Sequence, residues 1–132
     1  MQQKLPKILY FIIALIIMIG SILVINNQDS ATSNGQLTIE ILAIDDTVIS
    51  SKSVNFFKGD TLKQIIEDNF DDVLFESSSF GPYLTGIEGY VTPSDFSTYI
   101  SIYIDGVYST VGIGQIDIRD NITITLKVET NQ

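Results

Sequence analysis

From Ile8 to Ile25 the chain carries no charged residue, and Gly20 and Ser21 are the only breaks in the run. Lys4 and Lys7 stand just before it. Eighteen residues make a helix of about 27 Å at about 1.5 Å per residue, close to the roughly 30 Å hydrocarbon core of a bilayer. A buried core helix is seldom so long and so uniformly apolar, and the apolar core of a secretion signal is usually shorter. Ile22-Leu23-Val24-Ile25 fills the place where a small-x-small cleavage site would stand. Ala31-Thr32-Ser33 has suitable residues but lies well past the run, and no cysteine exists to carry a lipid. Residues 8–25 are therefore expected to be a retained transmembrane signal-anchor, with a cleaved signal as the competing reading. Basic residues stay on the cytoplasmic side. Residues 1–7 are then a cytoplasmic basic N-terminus and the C-terminal part is extracellular, on a single-pass protein of the cell membrane.

Residues 26–35 (NNQDSATSNG) are small and polar, which predicts a flexible linker. Residues 36–129 then form one small domain. All sixteen acidic residues lie beyond the apolar run, against Lys52, Lys58, Lys63, Arg119 and Lys127, so this part carries −11. The two N-terminal lysines bring the chain to −9. Such a charge argues against nucleic acid and against docking on anionic headgroups. With no cysteine and no histidine, the chain lacks disulfides, thiolate nucleophiles and the commonest general base and transition-metal ligand.

Alternation of apolar and polar residues predicts a strand over Gln36–Ile44, a turn at Asp45-Asp46-Thr47 and a returning strand over Val48–Phe57. Thr61-x-x-Gln64 has the form of a capping box, and Leu62, Ile65, Ile66 and Phe70 recur at helical spacing. A short helix over Thr61–Asn69 follows. Asp71–Phe80 reads as a connection, and Tyr83–Val91 as a strand or bent ribbon in which Gly86 and Gly89 permit close approach or a bulge. Thr98–Ile104 is a strand with Tyr99, Ser101 and Tyr103 on one face and Ile100, Ile102 and Ile104 on the other. Asp105-Gly106 signals a hairpin into Val107–Ser109. Asn121–Val128 closes the domain after a turn at Arg119-Asp120-Asn121. The fold class expected is α+β: a β-grasp-like mixed sheet with one crossing helix, preceded by the N-terminal transmembrane helix.

Ordered words along the domain carry a resemblance: VNFFKGDTL from Val54 to Leu62, GPYLTGI from Gly81 to Ile87, YISIYIDG from Tyr99 to Gly106, Gly112, and IDIRDN from Ile116 to Asn121. Residues 36–129 resemble the transcobalamin C-terminal-like family, a β-grasp-related domain of unknown function found in bacterial surface proteins. Where that family usually has Tyr-Trp and Asn-Gly, this chain has Tyr99-Ile100 and Asp105-Gly106, and its terminal Gly-Asp turn is replaced by Asp120-Asn121. The related domain of vertebrate cobalamin carriers covers one face of the corrinoid. The resemblance thus implies binding of a small molecule or a protein, with a cobalamin-type corrinoid as a candidate ligand.

Among the residues themselves, Tyr83, Tyr99, Tyr103 and Tyr108 are the candidate ligand-binding set, since tyrosines on one strand face stack against flat ligands; ordinary sheet packing, with the phenol hydroxyls reaching water, is the simpler explanation of them. Asp71, Asp72 and Glu76 lack the spacing of a calcium loop, and Val111-Gly112-Ile113-Gly114 is followed by no helix, so neither a metal nor a phosphate site is expected. No spacing of carboxylates, serine or lysine suggests catalysis. The expected function is a membrane-anchored extracytoplasmic binding module for a corrinoid or similar small nutrient. The alternative is a structural or interaction subunit of an envelope or transporter complex with no small-molecule ligand of its own.

Overall fold

The alternating stretches become strands because alternation lets each bury one face. The computed structural model describes residues 29–131; the proposed anchor at 8–25 lies outside them. In order along the chain come β1 (Gly35–Leu42), β2 (Val48–Phe56), helix α1 (Leu62–Asn69), β3 (Leu74–Ser78), β4 (Gly81–Ile87), β5 (Tyr90–Val91), β6 (Thr98–Ile104), β7 (Val107–Tyr108), a 3-10 turn at Ile113–Gln115, and β8 (Thr123–Thr130). Five strands form a mixed sheet in the order β2-β1-β8-β6-β7, in which β1 and β8 run parallel and the other pairs antiparallel. The domain is α+β, mostly strand with one helix and a mixed sheet. Among the described residues no helix is long and apolar enough to cross a membrane.

Register gathers the apolar residues on one sheet face. Ile39 stands beside Ile124 and Ile41 beside Leu126, while Ile104 and Ile102 face the same two β8 residues from the other side. Ile39, Ile41, Ile124 and Leu126 are all essentially inaccessible to solvent. Helix α1 adds the buried Leu62, Ile65 and Ile66 to this core, and Phe70 follows it in. Eight residues are too few for an independent helix. Burial of those side chains, worth about 1.5–3 kcal/mol each, offsets the cost of ordering it. The Thr61 hydroxyl accepts the Gln64 amide at 3.3 Å and caps the N-terminus. At the other end the Lys52 ammonium donates to the Asn69 carbonyl at 2.5 Å and lies 5.0 Å from the centroid of the Phe70 ring, tying the helix to β2.

Asp71–Phe80, expected as a connection, contains β3. It pairs antiparallel with β4, which pairs with β5 to make a second, three-stranded sheet. Four of the five β3 residues are exposed, so the strand rests on backbone pairing and on Phe75 packed against the core, and it shows no apolar alternation in sequence. Gly86 fulfils the expectation of close approach: a Cβ there would come within 2.9 Å of Leu74 and 3.1 Å of the Tyr90 carbonyl. The Asp105-Gly106 hairpin also forms, with φ of 49° and 82° at the two turn residues, the left-handed pair that a two-residue type I′ turn requires.

Residues 29–34, the end of the stretch read as a flexible linker, run along the domain as a strap. The Ala31 amide donates to the Asp60 carbonyl and the Ala31 carbonyl accepts the Gly59 amide, both at 2.8 Å. Asp29 donates to the Gly114 carbonyl at 2.8 Å, and the Asn34 side chain accepts the Lys58 amide at 2.8 Å. The Ala31 methyl is 2% exposed and belongs to the core. Small polar composition suggests free chain, but here the segment is held by its backbone hydrogen bonds, by the Asn34 side chain and by the buried Ala31.

Candidate functional site

Where the second sheet leans on the first, the core does not close completely. A hollow of about 180 Å³ opens between β4 and β6, walled by Tyr83 and Leu84, by Phe96 from the following loop, by Ile100 and Ile102, and by Ile113. Its surface is largely apolar. Thr92 also lines it, and the Thr92 hydroxyl is buried without a hydrogen-bond partner. Buried hydroxyls are almost always paired, because leaving one unpaired costs about 1–3 kcal/mol. The hydroxyl itself is closed off from solvent, so the hollow offers a ligand mainly apolar surface and suits a small apolar group.

The structure divides the four candidate tyrosines. Tyr99, Tyr103 and Tyr108 come together on the outer face of β6 and β7, away from the core. The Tyr103 and Tyr108 rings meet edge to face with centroids 5.7 Å apart. Tyr103 donates to one Glu129 oxygen at 2.5 Å, and Tyr99 to the other at 3.4 Å. The hydrogen bond to Glu129 raises the Tyr103 pKa above the ordinary phenol value. Partial burial, then the Glu129 charge, raises that of Tyr99. Tyr83 stands apart on β4, where it donates to Glu76, and that bond raises its pKa as well. Only Tyr83 and Tyr99 of the set border the hollow.

Beneath the tyrosines, Ser101 is buried and donates to the Lys127 carbonyl at 3.1 Å, while the Lys127 ammonium pairs with Asp46 at 2.6 Å. These contacts consolidate the outer face. Among the described residues no three acidic side chains cluster in a way that would hold a metal ion. Ile100 and Ile102 were legible as the inward face of their strand. Thr92 and Phe96 were not, for they lie in a loop around Pro93 that carries no periodic signal.

The sequence model of a family described as "Domain of unknown function (DUF4430)" matches residues 59–130. This is more than half of the chain. The chain belongs to the DUF4430 family. No curated protein matches it. Among solved structures, the DUF4430 chain is similar to one titled a "putative metal binding protein" from Ruminococcus gnavus, at 16% identity and a TM-score of 0.60, covering 74% of this chain and 99% of that one. It is similar at the same TM-score and 17% identity to haptocorrin in complex with Cbi, covering 76% of this chain and 26% of haptocorrin. The domain thus corresponds to about a quarter of haptocorrin's length. At these identities the likeness concerns the fold alone.

Proposed function

We propose that this DUF4430 domain is a binding module without catalysis of its own, displayed outside the cell membrane by residues 8–25, for a small nutrient with an apolar edge. The largely apolar hollow between β4 and β6 is the observation that carries the reading. Its size sets the mode of binding. At about 180 Å³ it falls below the roughly 300–1,000 Å³ of pockets that enclose drug-sized ligands. A corrinoid, the first ligand to test given the likeness to haptocorrin, would insert one edge or peripheral group and rest its ring against Tyr83 and Tyr99. The parallel β1–β8 pair with a single helix on one face supports the finer description of the fold as β-grasp-like.

A second reading, an interaction subunit of an envelope complex, is favoured by β2. This nine-residue strand forms one edge of the sheet and leaves Val48 and Ile49 exposed, a geometry open to strand addition. Calorimetry of the full chain in detergent, titrated with cobinamide and with cobalamin, separates the two. On the first reading, Tyr83→Ser with Tyr99→Ser weakens binding at least about tenfold, or about 1.4 kcal/mol, and Tyr108→Ser leaves it unchanged. Absence of heat or competition at high micromolar ligand rejects the corrinoid and promotes the interaction subunit.

A further inference from the structure

The strap ties the start of the described chain to the 3-10 turn through Asp29 and to the β2–α1 loop through Ala31 and Asn34. We infer that the β2–α1 loop, with Phe57 at its start and Lys58-Gly59 at its turn, is a lipid-contacting surface; the inference rests on the reading of residues 8–25 as a retained anchor. Between Ile25, at the end of that segment, and Asp29, where the strap is hydrogen-bonded to Gly114, only four residue steps intervene. Fully extended they reach at most about 14 Å. From Asp29 onward the chain has no slack, since Ala31 is bridged to Gly59 and Asp60, and Asn34 to Lys58. A free ten-residue linker would let the domain tumble; this one brings a particular end to the headgroups.

That end is defined by the strands. β1 begins there at Gly35, opposite Phe56 of β2, and β8 begins beside it. Phe57 projects from the loop 61% exposed, immediately before the exposed Lys58 and next to the strap. An aromatic ring with a neighbouring lysine suits the membrane interface, the ring at headgroup depth and the ammonium in the polar layer. One such side chain suffices when a tether already holds it at the surface, because the effective concentration is then millimolar. Asp60, Asp105 and Asp120 flank this end against Lys58, and Arg119 is paired with Asp117 at 3.6 Å, so the contact is apolar in character and belongs on zwitterionic lipid. The opposite end is marked by Ile44, 51% exposed and two residues past Leu42, where β1 ends about 23 Å along the strand from Gly35.

The chain has no tryptophan, so Phe57→Trp and Ile44→Trp each give a single clean reporter. Both are placed in the full chain, reconstituted into phosphatidylcholine vesicles with and without brominated acyl chains, and co-flotation is measured on the same samples. The inference expects Phe57→Trp to shift to shorter wavelength and lose about half its emission to the brominated lipid, as a ring at the interface should, while Ile44→Trp keeps its emission. Flotation with both reporters unquenched, or with both equally quenched, overturns the lipid-contacting loop and leaves the anchor standing. Failure to float overturns the anchor and the loop together.

Discussion

Replacing Ile100 by tryptophan tests whether the hollow is real space in the right place. The family that this sequence resembles usually has tryptophan at this position, and in this chain Ile100 lines the hollow from β6, paired with Val128 of β8. An indole at position 100 would bury some 50 Å² more apolar surface than isoleucine, worth about 1 kcal/mol at about 25 cal/mol/Å². Its N–H would also need an acceptor, and the unpartnered Thr92 hydroxyl lines the same hollow. Ile100→Trp is therefore expected to stabilise the domain by about 1 kcal/mol, raising the thermal midpoint by about 4–8 °C for a domain of this size. Thr92→Val should be neutral or slightly stabilising in the parent, where the hydroxyl is unpaired. In the Ile100→Trp background it should cost about 1 kcal/mol through the lost hydrogen bond. Circular-dichroism melts of the four proteins complete the cycle. A loss of about 1–3 kcal/mol in Ile100→Trp, the signature of overpacking, would refute the claim that the hollow accepts a side chain from this position. Additivity of the two substitutions would refute the pairing with Thr92.

Other consequences follow from the same geometry. Ile65→Asp buries a carboxylate under α1 and should cost several kcal/mol, whereas Glu67→Ala, which loses an exposed pair with Lys63 at 3.7 Å, should cost about half a kcal/mol; equal shifts in thermal melts would mean that the helix buries a different face. The raised phenol pKa values of Tyr83, Tyr99 and Tyr103 mean that their contribution to stability is fully present below pH about 10 and is lost as the pH rises through the folded values. Glu129→Gln should accordingly move part of the tyrosine absorbance titration to lower pH, and an unchanged titration would contradict the Tyr103–Glu129 bond. The lowered Asp45 and Asp95 pKa values, set by hydrogen bonds from Thr47 and Ser97, act in the other direction: their contribution is present above pH about 4 and lost as the pH falls through the folded values, so Thr47→Ala should reduce the acid sensitivity of urea unfolding.

The parts of the fold visible in sequence were those with a repeating physical signal. Leu37, Ile39 and Ile41 alternate because one face of β1 is buried; Leu62, Ile65 and Ile66 recur because one side of α1 is; Asp105-Gly106 stands out because its turn needs two left-handed residues. β3 had no such signal, since Glu76, Ser77 and Ser78 face solvent and Phe75 is the one residue of the strand that packs on the core. The strap was hidden for a related reason: Ala31 is its one buried apolar residue, and its hydrogen bonds come from the backbone and from Asn34. For the candidate site, sequence identified the outward tyrosine row and the inward isoleucines of β6 but not that a second sheet would cover the isoleucines. The hollow lies between segments that are neighbours only after folding, and the unpaired state of Thr92 belongs to the packing around it.

The most direct test of the account is methyl chemical-shift mapping of the isotope-labelled full chain in detergent, titrated with cobinamide. The account predicts saturable shifts at Ile100, Ile102 and Ile113, the isoleucines lining the hollow, with Ile44 and Ile49 at the far hairpin unmoved. Shifts confined to Val107 and the outer tyrosine face, or none up to millimolar ligand, would contradict it.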